Sequence, residues 1–491
     1  MTNSFSGEYA DEKAVIEQVE NIQQLHSQID TNAEKRLLRK LDFIILPQVT
    51  LLFLFNFIDR SAIGNAQPAG FAKDVHLKTS PPQLNIALMI FYIFYIIIEI
   101  PSNLILKKIG SVWLSILCLC FGAVTIGSAF ISNFGEFVGV RILLGIFEGG
   151  VIPGIVYLLT RFYTRAELAF RIGVFLSWGP GLSGAFGGLL AAGLLNAKVA
   201  DLVRWEKIFV VEGIITMSLG LITIFTLPTS PEKTKWLNEE ERALAVRRLE
   251  IEHLGTTHEP TTPRLVLKAC LNWRTWLAVA GYSFINVIVQ GTSIFLPTII
   301  NGLGKYSATQ VQLRTVPPYI VASAWAFGIS YCAWKTRVHG YFVAGSTVLS
   351  IVGYIMFLAS KDPKVLYGAS FLTFTGALPC GPLFLAWATA NAGTPTARAV
   401  TSAIVPAWGS LGSIICTWLY LPQYKPRYIP GNAFNVFSAA ISCIIGLTCS
   451  LYASWENKQR EAGRRDWRLD GKSEQEIKEL GEMHPRYKLM S

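Results

Sequence analysis

The chain has 491 residues, 51% of them apolar and only 15% charged, with a mean hydropathy of +0.40. Soluble domains carry about 25% charged residues, so an ordinary soluble protein is excluded. The formal net charge of +10 requires no nucleic-acid partner, because basic loops lying beside anionic lipid account for it.

Residues 1–42 are polar and hold no apolar core of the kind a signal peptide needs. Lys35, Arg36, Arg39 and Lys40 close this tail and favour a cytoplasmic N-terminus by the positive-inside rule. Stretches poor in charge then recur at roughly 20 residues, the length a helix needs to cross about 30 Å of hydrocarbon. They fall near 43–66, 84–105, 112–131, 137–160, 170–193 and 207–227, forming a first unit over 43–227. A polar central loop, 228–273, carries Lys233, Lys235, Arg242, Arg247, Arg248, Arg264 and Lys268, and 234–255 reads as an amphipathic helix along the membrane face. Six more stretches, near 274–300, 314–334, 341–359, 365–389, 398–420 and 432–454, make a second unit over 274–454. The tail, 455–491, is charged and is expected to be partly disordered. The fold class is therefore an all-α membrane protein of 12 transmembrane helices in two groups of six, alike in hydropathy rather than in residues. The short loops alone lean against an inside N-terminus; the basic central loop and Lys458, Arg460, Arg464 and Arg465 of the tail place both termini in the cytoplasm.

Seven of the eight cysteines fall inside spans and none forms a Cys-x-x-Cys pair, so neither a disulfide framework nor a zinc site is indicated. All six histidines lie in loops or tails. A proton carried through the membrane would therefore need a carboxyl group. Charges within spans are costly and mark function by default. The first group is Asp59-Arg60, in Asn56-Phe-Ile-Asp-Arg-Ser-Ala-Ile-Gly-Asn65; either the two neutralise each other at a helix end, or, pointing in different directions, they serve a site. The second is Arg141, Gly145 and Glu148 on one face of the fourth stretch. Arg141 and Glu148 lie about 10 Å apart along the axis, too far to pair directly but suited to flanking a solute. Pro153-Gly154 is expected to weaken that helix, as half-broken helices do at transport sites. The third is Glu99 with Asn103, followed by Lys107-Lys108, read as a gate in which Glu99 could pair with a cytoplasmic Arg or Lys. Glu212, early in the sixth stretch, is open to either a structural or a functional reading.

Several segments together resemble the fungal members of the major facilitator superfamily, in the anion:cation symporter group and its allantoate-permease branch. They are Phe57 to Ala66, Gln83 to Leu88 leading to Glu99-Ile-Pro-Ser-Asn103, Arg141 to Gly154, Phe209-Val-Val-Glu-Gly213, Leu227 to Glu232 with Glu239 to Leu244, and Arg398 to Ala403 with Pro426-Arg-Tyr428. The resemblance implies the major facilitator fold, two six-helix bundles working by alternating access. It also implies that Arg60 and Arg141 engage an anionic substrate and that Glu148 couples to protons. Asp59, a costly acid within the first span, is read as a second proton-coupling residue. Departures from the family pattern are Ala62 in place of Asn, Arg314, and the lack of an Asp-Arg pair after Lys107-Lys108. In the second half, Asn286 with Gln290 and Trp387 with Asn391 share helix faces; each pair either lines a cavity or ties helices together.

No metal-ligand cluster or Ser/His/Asp set lies in the spans, so the chain is not read as an enzyme, and no cofactor or metal is expected. The expected partners are a small organic anion such as allantoate, nicotinate or a vitamin-like carboxylate, protons and the lipid bilayer, with the single chain as the working unit at the plasma membrane. Outward transport of a fungal secondary metabolite, and solute sensing without flux, are the alternatives.

Overall fold

The computed structural model describes residues 30–197, 202–255, 263–472 and 480–490. Among these residues every long element is α-helical. The first span is Thr31–Ala66, and it starts well before the apolar stretch. Asp30 caps it by accepting from the Asn32 N–H at 2.9 Å, and Leu37, Leu41, Ile45 and Val49 recur every fourth residue as a buried stripe. The charged turns between that stripe carry the helix out past the hydrocarbon. The other first-half spans are Gln83–Ile109, Val112–Gly127 with a 3₁₀ turn to Phe130, Phe134–Glu148 continued by Val151–Thr160, Arg165–Asn196, and Arg204–Thr226. In the second half they are Trp273–Asn301, Ala308–Thr336, Gly340–Ala359, Pro363–Ala377 continued by Cys380–Ala390, Pro395–Gly409 continued by Leu411–Leu419, and Ile429–Glu461. Counting the bent second span as one, ten are long and apolar enough to cross a membrane; the fifth and eighth complete the twelve as helices of 32 and 29 residues.

The interruptions have local causes. The second span bends by 48° where Glu99 gives way to Pro101, since proline removes a helical N–H and crowds the preceding turn. The fourth span breaks at Gly149-Gly150 and not at the expected Pro153-Gly154. Pro153 falls in the first turn of the resumed helix, where its missing N–H costs nothing. The two glycines are required instead by close approach: a Cβ on Gly149 would overlap the Tyr95 carbonyl, and one on Gly150 the Ser102 hydroxyl.

The halves repeat each other in packing. Third against sixth, first against fifth and second against fourth in the first bundle return as ninth against twelfth, seventh against eleventh and eighth against tenth in the second. The bundles meet through the fifth span on the eighth, the second on the eleventh and the first on the seventh. Their mutual hydrogen bonds cluster at one end. Gln312 donates to the Asn65 carbonyl at 2.9 Å, Asn85 to the Thr417 carbonyl at 2.5 Å, and Thr309 to Asn196 at 3.3 Å. A Cβ on Gly64 would overlap the Ile294 carbonyl there, so the first and seventh spans touch backbone to backbone.

Away from that seam, ion pairs bind the central loop to the first bundle. Its helix, Glu239–Gly255, begins later than the expected 234, after a 3₁₀ turn at Pro231–Lys233. Lys40 meets Glu241 at 2.6 Å, and Arg248 binds both Glu34 and Glu167. Arg171 grips Asp42 with two nitrogens, each at 2.7 Å.

Candidate functional site

Asp59, Arg60, Arg141 and Glu148 all lie in the interior of the first bundle, each at most 5% exposed. Packing explains how such costly groups are held. Arg60 rests among three rings, with its guanidinium 5.3 Å from the Phe57 centroid, 5.6 Å from Phe91 and 4.7 Å from Tyr95, a setting that suits a flat, weakly hydrated cation. One of its terminal nitrogens donates to the Asn56 amide oxygen, one turn back, at 3.3 Å. Arg141 lies 5.2 Å from the Phe137 ring, again one turn back. The sequence draws attention to the arginines; the second-span rings Phe91, Tyr92 and Tyr95 carry no charge to mark them, although 91 and 95, one turn apart, share a helix face.

The pairing of charges differs from what adjacency in sequence suggests. Glu148 faces Arg60 across the first and fourth spans, with 3.5 Å between Oε2 and Nε, a contact looser than a charge-assisted hydrogen bond. Arg141 is within electrostatic reach of both Glu148 and Asp59. Asp59 turns toward Thr125 and Thr216 of the third and sixth spans, so Asp59 and Arg60 do not simply neutralise each other. Among the described residues, Arg60 Nε, Arg141 Nε, both Glu148 oxygens and both Asp59 oxygens have no hydrogen-bond partner. Unsatisfied buried groups of this kind are expensive. Two forked donors with idle N–H groups beside a carboxyl can receive a small anion.

The remaining residues singled out from the sequence lie apart from this cluster or on its margin. Glu99 makes no ion pair with an Arg or Lys among the described residues. Tyr95 and Tyr282, the latter from the seventh span, are the groups within its electrostatic reach. One oxygen of Glu99 and the amide oxygen of Asn103 are buried without partners. Asn286 spends its amide on the eleventh span, donating to the Gly409 carbonyl at 3.1 Å and to Ser413 at 2.9 Å. Gln290 is buried and keeps its oxygen unpartnered.

Trp387 and Asn391 are bound by the C-terminal segment. Both donate to the Met490 carbonyl at 3.0 Å, and the Met490 N–H returns to the Asn391 oxygen at 2.8 Å. Arg460 donates to the carbonyls of Glu482, His484 and Tyr487, and Asn457 exchanges hydrogen bonds with Leu489. The tail expected to be partly disordered is therefore packed over 480–490; its residues 473–479 lie outside the described residues. The cause is a set of side chains at the ends of the tenth and twelfth spans that match a peptide backbone. Asn391→Ala removes two of these bonds, each worth about 1 kcal/mol. It is expected to quicken protease cleavage within 480–490, read by mass spectrometry of limited digests; unchanged cleavage would mean that Arg460 and Asn457 suffice.

Two packed six-helix bundles with charges buried between their spans define a polytopic membrane transporter fold. The family model described as Major Facilitator Superfamily matches residues 49–417, and the chain belongs to that superfamily. It is 32% identical to the MFS transporter prlL of a fungal species (strain NRRL 50135), over 94% of this chain and 98% of that one. It is 31% identical to the MFS-type transporter efuF of Hormonema carpetanum, over 86% of each. The high-affinity nicotinic acid transporter of Saccharomyces cerevisiae is 29% identical over 84% of this chain and 77% of its own. Among solved structures, the proton:xylose symporter XylE bound to 6-bromo-6-deoxy-D-glucose is similar with a TM-score of 0.65 at 18% identity, covering 84% of this chain and 95% of that one. An inward-facing bacterial homolog of the lysosomal transporter Spinster gives 0.63 at 16%, covering 86% and 98%. These structural likenesses establish the fold. The protein is a multi-pass membrane transporter and not an enzyme.

Proposed function

We propose that the chain carries a small organic carboxylate together with protons, as a symporter of the allantoate-permease branch in the plasma membrane. The observation that carries this reading is the pair of buried guanidinium groups, Arg60 and Arg141, with idle N–H donors beside Glu148. Arginine presents a planar fork that fits a carboxylate with two parallel hydrogen bonds. A relative whose name specifies nicotinic acid supports a monocarboxylate of that size. In the mechanism, an arriving carboxylate takes over the Arg60 nitrogen that faces Glu148, and Glu148 accepts a proton as its counter-charge leaves. The anion and the proton then cross together, because either alone would leave an unpaired buried charge.

Both termini are assigned to the cytoplasm. The ion pairs Lys40–Glu241 and Arg248–Glu34 bring the start of the first span to the central loop, and the basic residues gather on that face.

Uptake of a panel of labelled small carboxylates, in cells lacking their own carboxylate permeases, tests the proposal. Acid-stimulated accumulation of one compound, abolished by a protonophore, is expected. Failure of every compound to enter, with faster loss of a preloaded metabolite, would replace import with export. Unaltered proton dependence in a transporting Glu148→Gln protein would remove Glu148 from the mechanism.

A further inference from the structure

Two spans of the second bundle are broken at mid-depth. The tenth is interrupted between Ala377 and Cys380, at Leu378-Pro379, and the eleventh at Ser410. The halves nearer the central loop, Cys380–Ala390 and Pro395–Gly409, make a hairpin of half-helices joined by the turn 391–394. Proline and Gly-Ser steps are where helices bend sharply. The eleventh-span break also lies directly on the seventh span, where a Cβ on Gly409 would overlap the Tyr282 ring and one on Gly412 the Ser283 carbonyl. The hairpin is therefore set off from the rest of its bundle by two hinges.

The C-terminal segment ties down the tip of this hairpin. Its root is on the twelfth span, where Arg460 donates to the carbonyls of Glu482, His484 and Tyr487, and Asn457 exchanges bonds with Leu489. From there it reaches the hairpin at three places. The Glu482 carboxylate accepts from the Gly393 N–H at 3.2 Å, the Tyr487 hydroxyl donates to the Ala390 carbonyl at 2.8 Å, and Met490 is bound by Trp387 and Asn391. The other oxygen of Glu482 accepts from Asn272 at 2.9 Å, the residue that caps the seventh span. One short peptide thus joins the hairpin to both the seventh and the twelfth spans.

The matching place in the first bundle is fastened differently. There Arg248 of the central loop binds Glu167 at the start of the fifth span and Glu34 of the first, so arginine–carboxylate pairs hold it, the strong kind of polar contact. In the second bundle the fastener is a terminal peptide, and of the apolar side chains in 480–490 only Pro485 and Leu489 are buried. A segment that buries so little can detach without unfolding the helices beneath it. We infer that residues 480–490 are a releasable strap, which when docked holds the half-helix hairpin of the tenth and eleventh spans to the seventh and twelfth and restrains closure of this face. A segment that binds one conformation more tightly stabilises it, and its release shifts the population the other way. Because the bundles are hydrogen-bonded at the Gly64 end, closing the loop face requires that end to part. The inference rests on alternating access and is independent of which solute is carried.

The test uses the full-length protein in lipid nanodiscs with Cys416 as its sole cysteine. Cys416 is fully buried, and the carbonyl of the next residue, Thr417, accepts the Asn85 bond that joins the bundles, so its alkylation reports parting of that end. The combined variant Glu482→Ala, Tyr487→Phe, Met490→Pro removes hairpin contacts from the tail side and alters no span. Protease cleavage within 480–490 is expected to quicken, and alkylation of Cys416 to rise roughly fivefold, the equilibrium shift that one hydrogen bond supplies. Lys488→Ala is the control on the same segment, its side chain 80% exposed and 3.9 Å from Glu461; it is expected to change neither. A second protein with Cys449 alone, buried on the twelfth span, is expected to stay unreactive. Cleavage that does not quicken would mean that the hairpin contacts do not hold the segment. Quickened cleavage with Cys416 alkylation unchanged or slowed would make the segment a cover and not a restraint. An equal rise at Cys449 would mean general loosening of the bundle. Each of these three results overturns the inference. None of the measurements needs a solute, so failure of carboxylate transport would leave their outcome standing.

Discussion

Arg141→Lys is expected to leave the protein folded in the membrane and to weaken binding of the proposed carboxylate substrate by roughly ten- to a hundredfold, the equivalent of one charged hydrogen bond lost. Arg141 is 2% exposed, its guanidinium lies 5.2 Å from the Phe137 ring, and its Nε–H is unspent. Lysine keeps the positive charge that Glu148 and Asp59 require but supplies a point charge in place of a fork, and it stacks poorly on an aromatic face. Arg141→Ala is the harsher change. It takes from Asp59 the guanidinium that faces it and leaves Glu148 with Arg60 alone, and breaking a buried charge set in this way costs about 3–5 kcal/mol. Its loss of transport would therefore combine misfolding with lost recognition. Thermal unfolding in detergent beside equilibrium binding of the proposed carboxylate substrate separates the two. A lysine variant that binds and transports as the wild type does would remove Arg141 from anion recognition.

Gly64→Val is expected to slow the transport cycle by disfavouring the conformation seen here. The α-carbon of Gly64 lies against the Ile294 carbonyl, and a Cβ there would overlap it. The listener to this clash is backbone, which cannot rotate away as a side chain tip would. Overpacking of this kind costs about 1–3 kcal/mol, enough to shift a two-state equilibrium by about 5–150-fold toward conformers with this seam parted. Cys416, fully buried on the eleventh span near the same seam, reports the change. In a protein that retains it as the sole cysteine, alkylation should quicken with Gly64→Val and turnover should fall. Gly139→Ala serves as the control, because that position is exposed and a Cβ there meets nothing within 4 Å. Unchanged labelling and turnover in Gly64→Val would mean that the seam does not part during transport.

The sequence was informative about anything that depends on the cost of placing one residue in lipid. Uncharged stretches of the right length located the spans, and the few charges within them stood out because hydrocarbon tolerates them poorly. Asp59, Arg60, Arg141 and Glu148 were legible on that ground alone, and they come together in the first bundle. Asn286 and Trp387 show the weakness of the same reasoning for neutral groups. A polar side chain on an apolar helix can meet a solute, a neighbouring helix or the chain's own tail at similar cost, and helical periodicity does not distinguish these. For the same reason the fourth span breaks at Gly149-Gly150 and not at the expected Pro153-Gly154: Pro153 is conspicuous in sequence, whereas the close approach of the second span that requires the two glycines is not.

What the sequence by itself determined, then, is the membrane character, the spans and the identity of the costly charges, since each follows from the solvation of single residues and short segments. Tertiary structure alone decided that Glu148 faces Arg60 across two helices, that Asp59 turns from its neighbour toward Thr125 and Thr216 of the third and sixth spans, that residues 480–490 occupy Trp387 and Asn391, and that the bundles close at the end holding Gly64. Each of these is a relation between helices distant in sequence, set by the angle and depth at which they pack, and no period along one chain segment encodes it.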